Sequence, residues 1–121
     1  MDNNRKDFFR ELAQRVSELV INERLYLDSR LSLDDVANRL EVSRYYVSHA
    51  INNYLGKNFH TFVNELRIEE AARIMGRRQG ELKVTDVFRH AGFTDRTSFH
   101  RACKQVTGIS PSELKEKINN Y

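Results

Sequence analysis

Two sets of side chains in this 121-residue chain have the types and spacing to do chemistry. Tyr45, Ser48, His49 and Asn52 follow i, i+3, i+4 and i+7, and Thr97, His100, Arg101 and Lys104 repeat that spacing 52 residues later. On a helix such a spacing places each set on one face. Arg44 and Arg96 stand at the starts of the same two segments. The faces offer donors and acceptors and hold no carboxylate. That is the chemistry of base-edge recognition, in which Arg, Asn, Ser and His meet the donors and acceptors of the major groove. A helix start adds free backbone N–H groups and the positive end of a dipole, both suited to phosphate. Ser43, Lys57, Asn58 and Arg67, together with Arg77 and Arg78, are candidates for gripping a phosphate backbone and setting register.

Other chemistries find little support. Cys103 is the single cysteine, so no internal disulfide forms. His90, His100 and Cys103 do not have the spacing of a zinc site, and no metal or cofactor is expected. Cys103 falls on the apolar side of its segment with no activating neighbour, which makes it an inert thiol. Paired carboxylates, an activated nucleophile and a phosphate-cradling glycine loop are all missing, so the chain does not read as an enzyme. Lys plus Arg number 20 against 17 for Asp plus Glu, a formal charge of +3. That excess is too small to identify a partner, and its placement carries the information. Counting 95–104, Arg96, Arg101 and Lys104 face one acid, Asp95. With no apolar run near 18 residues and no signal-peptide core, the chain reads as soluble and cytoplasmic, without membrane contact.

The elements that must position these faces are helices, because helical spacing recurs and sustained alternation does not. One proline and five glycines favour the same class. Segment 5–27 places Phe8, Phe9, Leu12, Val16, Leu19 and Val20 on one side. This first helix is either a core-completing element or the remnant of a dimerisation or linker helix. Ser32 caps a helix over 33–40 with Asp35 closing a capping box, and Ser43 caps the next, which runs to Leu55 and stops at Gly56. Asn58 caps a long helix over 59–76, and 77–82 is the clearest loop. Helix 84–91 stops at Gly92, Asp95 caps 96–106, and Ser110-Pro111-Ser112-Glu113 opens the last helix.

The two halves repeat. Leu33, Val36, Leu40 and Val42 match Val84, Val87, Ala91 and Phe93 at an offset of 51. Ser43, Val47, Ile51, Gly56 and Asn58 match Asp95, Phe99, Cys103, Gly108 and Ser110 at an offset of 52. Each copy reads as helix, tight turn, capped helix, glycine stop and capped helix. In the first, Val47, Ile51, Tyr54 and Leu55 should face a core; in the second, Phe99, Cys103 and Val106. Tyr45 is expected to be exposed and Tyr46 at least half buried.

These residues resemble the AraC/XylS family of bacterial transcription regulators. The likeness runs from Leu31-Ser32-Leu33-Asp34-Asp35-Val36-Ala37 through Val42-Ser43-Arg44-Tyr45-Tyr46-Val47, Gly56-Lys57-Asn58-Phe59 and Leu66-Arg67-Ile68-Glu69-Glu70-Ala71. It closes on Gly92-Phe93-Thr94-Asp95 and on Phe99 through Glu113, with the specific run Thr107-Gly108-Ile109-Ser110-Pro111. Roughly residues 31–118 are covered. The resemblance implies an all-α domain of about seven helices: a leading helix or linker (1–30), a first helix-turn-helix (31–57), a linker helix (58–78) and a second helix-turn-helix with a C-terminal helix (83–121). Recognition helices 44–55 and 96–106 would enter neighbouring major-groove segments about one turn (~34 Å) apart. Family positions that commonly touch bases fall on Tyr45, Ser48 and His49, and on Arg96, Thr97 and Arg101. The partners implied are double-stranded DNA and RNA polymerase, and activation is the commoner outcome in the family; oligomeric state is not encoded in these features. Tyr26-Leu27-Asp28 leading into Leu31 is similar to the entry of relatives whose DNA-binding part ends a longer sensor, so the chain is expected to be such an output portion.

Three residues depart from the pattern. Glu41 stands where the first turn commonly has Gly. Phe88 replaces a small residue and Cys103 a large aromatic, a pair that conserves volume if Phe88 fills the room left by Cys103. If it does not, the second unit is weakened, and the alternative function is a helical protein-interaction module that has lost DNA binding.

Overall fold

The computed structural model describes residues 2–77 and 83–120, and the described residues are helical with no strand. Seven α-helices follow in order: α1 (Asp2–Asn22), α2 (Leu33–Leu40), α3 (Arg44–Ala50), α4 (Phe59–Arg77), α5 (Val84–His90), α6 (Arg96–Thr107) and α7 (Pro111–Asn119). Arg78 and most of the expected 77–82 loop lie outside the described residues. The chain divides into two compact units, one comprising 1–26 and 30–62, the other 27–29 and 63–121.

In the first unit α1 packs on α2, α3 and the turn that follows α3. Leu12, Ala13, Val16 and Val20 of α1 are buried with Val36, Ala37, Val47, Ala50, Ile51 and Phe62. The leading helix therefore completes this core. It ends earlier than its apolar pattern suggests, because Arg24 takes a left-handed φ of 55° and only a single 3-10 turn, Leu25–Leu27, follows. Ser32 caps α2 with the full box: its Oγ accepts from the Asp35 N–H, and the Asp35 carboxylate accepts from the Ser32 N–H at 3.0 Å. Glu41 does occupy the glycine position, at φ 56° and ψ 41°. Its N–H donates to the Asn38 carbonyl at 3.2 Å, while that of Val42 donates to Ala37 at 3.1 Å, so the helix end is closed in Schellman fashion without glycine.

The expected helix to Leu55 is α-helical only to Ala50, and residues 51–55 form a π-type turn ending on Gly56 at φ 70°. The wider turn advances less per residue, so positions seven and eight beyond Val47 no longer lie beneath it. Tyr54 and Leu55 are accordingly only half-buried, whereas Val47 and Ile51 are fully enclosed.

The second unit has its own core: Ile68, Ala71 and Met75 of α4, Val87 and Phe88 of α5, Ala91, Phe93, and Phe99, Ala102 and Cys103 of α6, with Ile74, Leu114 and Ile118 against it. Phe88 and Cys103 share this cluster, at 5% and 0% exposure, as the compensating swap requires. Val106, expected to face inward, is instead 38% exposed. It sits in the last turn of α6, beyond the end of the core at Cys103. The Thr107-Gly108-Ile109-Ser110-Pro111 run has a direct structural meaning. Thr107 Oγ1 donates to the Cys103 carbonyl at 2.6 Å and accepts from the Ile109 N–H at 3.2 Å, and Ser110 then caps α7 with Glu113 closing the box.

Candidate nucleic-acid interface

The second unit presents the sequence-derived set as one surface. Arg96, Thr97, His100, Arg101 and Lys104 line a single open groove of about 780 Å³ along α6, joined by Gln105. All six side chains are exposed. Asp95 holds the start of this helix, its Oδ1 accepting from the Ser98 N–H at 2.7 Å. That bond and a second one from the Ser98 side chain, with a smaller contribution from the positive charge of Arg101, keep the Asp95 carboxyl below its ordinary range. The acid is thus committed to the cap, and the groove keeps a cationic character. Gln105 was missed although it lies four residues beyond Arg101, on the same helical face.

The first unit arranges its face differently. Among the described residues Tyr45 is the most exposed of the large apolar side chains, at 78%, and Tyr46, expected to be at least half buried, is exposed at 50%. Tyr45, Tyr46 and His49 share a groove of about 560 Å³ with Asn53 and Tyr54, and with Arg5, Lys6 and Phe9 of α1. Ser48 and Asn52 do not line it; the Asn52 amide donates to Ser48 Oγ at 3.4 Å. Arg44 leaves the helix start to pair with Asp34 of α2 at 3.6 Å, with both groups more than half exposed. An exposed pair of this kind contributes little and releases Arg44 at small cost.

His49 has neighbours on both its backbone and its ring. One Asn53 amide nitrogen donates to the His49 carbonyl at 2.8 Å and lies 3.3 Å from His49 Nδ1. The Asn53 side chain thus sits beside both the carbonyl and the ring of the residue one helical turn earlier. Nε2 is the ring nitrogen left for a base or phosphate oxygen. The ring is flanked by Phe9, centroid to centroid 4.3 Å.

The phosphate candidates divide. Ser43 caps α3, its Oγ accepting from Tyr46 N–H at 3.3 Å, and Asn58 Oδ1 caps α4 by accepting from Thr61 N–H at 2.8 Å. Both sit at helix starts, where free N–H groups collect. Lys57 is half-buried. Arg67 is already engaged within its own unit. Its guanidinium donates to the Asp28 carbonyl at 2.8 Å and lies 5.8 Å from the Phe93 ring centroid, so it ties residues 27–29 to the second unit. Burial pulls its pKa below the ordinary value, against the raising effect of Asp28. Helical periodicity alone put Arg67 on a surface; the return of Asp28 across α4 is a tertiary contact that no local pattern encodes.

Cys103 is buried, burial raises its thiol pKa, and its Sγ lies 3.7 Å from Thr107 Oγ1. Among the described residues no group of three or more His, Cys, Asp or Glu is placed to hold a metal, and no helix is long and apolar enough to cross a membrane.

Paired helices joined by a tight turn, each pair offering one capped helix with a carboxylate-free polar face, define the class of helix-turn-helix DNA-binding domains. Comparison with known proteins places the chain more closely. A family model described as a helix-turn-helix domain matches residues 36–117, and the chain belongs to this family, in its AraC type. It is 29% identical over 124 residues to the arabinose operon regulatory protein of Escherichia coli, matching 99% of this chain and 38% of that protein. It is 28% identical to the regulatory protein PocR of Salmonella typhimurium over 78% of this chain and 32% of PocR. For the transcriptional activator AarP of Providencia stuartii the figures are 29% identity, 88% of this chain and 77% of AarP. The chain thus spans 32% to 40% of the length of the first three relatives it matches. Among solved structures, the C-terminal domain of AraT, a response regulator from Geobacillus stearothermophilus, superposes with a TM-score of 0.76 at 26% identity, covering 88% of this chain and 84% of that one.

Proposed function

We propose that the chain is a sequence-specific DNA-binding domain that regulates transcription, acting more often to activate than to repress. The observation that carries the reading is the α6 groove: Arg96, Thr97, His100, Arg101, Lys104 and Gln105 stand together, exposed, with the neighbouring acid engaged as a cap. α3 and α6 each deliver one face to a major-groove segment, with Tyr45, Ser48, His49 and Asn52 on the first and the α6 set on the second. Arg44 joins the first face when its exposed pair with Asp34 opens. Ser43, Lys57 and Asn58 lie near helix starts, where phosphate oxygens meet free N–H groups. Activation on DNA makes RNA polymerase the protein partner. The burial of Phe88 in the second core removes the reason for reading the chain as a module that has lost DNA binding.

The test is selection of bound sites from random duplexes, followed by titration of the selected duplex at two salt concentrations. Affinity that falls steeply with salt, with two blocks of conserved bases, is expected. Absence of duplex binding at low salt defeats the proposal, and a single conserved block restricts base reading to one unit.

A further inference from the structure

The two reading faces differ in where their cations come from. On α6, Arg96, Arg101 and Lys104 belong to the helix itself. On α3 the face is aromatic and amide-bearing, its one arginine pairs with Asp34, and His49 is set between Phe9 and the Asn53 amide. The cations bordering the α3 groove are Arg5 and Lys6, both from α1. Nearby Asp7 is engaged by Arg10 at 3.3 Å, and no carboxylate among the described residues pairs with Arg5 or Lys6.

The length of α1 points the same way. Its core contribution begins at Leu12, yet the helix starts at Asp2, and residues 3–8 are exposed. What holds this extension is a cluster of rings on the solvent side of α3. Phe9 meets His49 at 4.3 Å and Tyr46 edge-on at 5.7 Å, Phe8 meets Tyr46 edge-on at 5.8 Å, and the two Phe rings lie 5.1 Å apart. Packing that served only the core would not reach the outward side of a recognition helix.

We infer that the N-terminal half of α1 is part of the DNA-reading face of the first unit: Arg5 and Lys6 bind phosphates of the strand bordering the groove, and Phe9 is a positioning residue for His49. This rests on the DNA-binding reading. Phe9 packs at a tilt against the imidazole and the Asn53 amide lies beside Nδ1, which leaves Nε2 as the ring nitrogen for a base. Arg5 and Lys6, which line the same groove as Tyr45, supply the counterion release that the α3 face lacks.

The experiment uses the whole chain and a duplex selected by it. A wild-type protein without salt-dependent duplex binding overturns the DNA-binding reading and this one together. With wild-type binding established, the double variant Arg5→Gln/Lys6→Gln isolates the inference; both residues are exposed, so the variant keeps its core. Loss of two phosphate contacts lowers the log–log salt slope by about 1.8. The affinity deficit at 50 mM salt is then roughly 12-fold larger than at 200 mM. An unchanged slope overturns the role of α1 in phosphate binding. Phe9→Ala is expected to flatten discrimination among base substitutions in the block read by α3 while keeping the slope, and Phe9→Tyr, which retains the ring, restores it. Discrimination by Phe9→Ala equal to that of wild type overturns the positioning role.

Discussion

Arg101→Ala separates binding from folding more cleanly than any other substitution on the α6 face. Arg101 is exposed and lines the groove together with Thr97, one helical turn away. It makes no ion pair or hydrogen bond among those that tie α6 to α5 and α7. Its one internal influence is on Asp95, whose carboxyl it helps to hold in the charged form, as the fourth cause after two Ser98 bonds and an opposing desolvation. A surface change of this kind stays within about 0.5 kcal/mol in stability. Any larger effect must then appear in binding. A base contact through the guanidinium fork contributes about 1–3 kcal/mol of discrimination, or roughly 5- to 150-fold between the selected duplex and a scrambled one. A phosphate contact alone weakens both duplexes equally and lowers the salt slope by about 1. The assay is titration of both duplexes by wild type and variant at fixed salt, beside a thermal melt. Unchanged discrimination refutes base reading by Arg101. A fall in Tm of several degrees refutes the premise that its side chain serves only the groove.

Three further expectations concern the frame that holds the faces. Lys83 is the N-cap of α5 and makes no side-chain cap bond, although Asp86 already stands at the third helical position, as Asp35 does behind Ser32. Lys83→Ser should complete the missing box and add about 1 kcal/mol, read as a Tm gain of roughly 3–6 °C; no gain means the α5 start cannot adopt the α2 geometry. Glu41→Gly should stabilise the first unit by about 0.5–1 kcal/mol, the relief of a left-handed φ less the added freedom of the unfolded chain. Glu41→Ala keeps the Cβ and should not gain, so equal gains in denaturant melts would assign the effect to the lost charge at the end of α2 rather than to φ. Asp95 titrates below its ordinary value because Ser98 bonds its charged form, so its contribution is present above about pH 4 and is lost as pH falls through the depressed value. Asp95→Asn keeps a capping oxygen and should make the acid limb of a stability-against-pH curve shallower, with Glu113 of the α7 box supplying part of the remainder; identical acid limbs would contradict this.

What the sequence disclosed follows the reach of its signals. Caps are local, and Ser32, Ser43, Asn58, Asp95 and Ser110 all hold the helices assigned to them. Inward faces are periodic, and Val47, Ile51, Phe99 and Cys103 are buried as their spacing implies. The misses begin where a local rule meets a tertiary contact or a change of helical pitch. The π-type turn at 51–55 displaced Tyr54 and Leu55 without any proline or glycine inside it to mark the change. Arg67 was drawn inward by a carbonyl 39 residues earlier in the chain. Phe8 and Phe9 looked like the first members of a core stripe, yet Phe8 is 43% exposed and both rings pack on the outward residues of α3. Periodicity identifies which residues share a face, not which neighbour that face will meet.

That limit explains why two copies of one repeat became chemically unequal while keeping one backbone plan. The α6 copy carries its cations on the recognition helix, where they are available to phosphate and guanine alike. The α3 copy has Tyr45, Tyr46 and His49 in their place, which on the proposed reading would recognise by shape, apolar contact and a ring nitrogen. Such a face contributes little counterion release by itself, so its affinity must come from elsewhere. Arg5 and Lys6 stand where that charge is needed, brought there by a helix whose last turns, from Leu12 on, are fixed in the core. Placing the charge on α1 also links the position of the leading helix to the orientation of His49 through Phe9. On that reading, a displacement of α1 along its axis would move phosphate grip and base donor together.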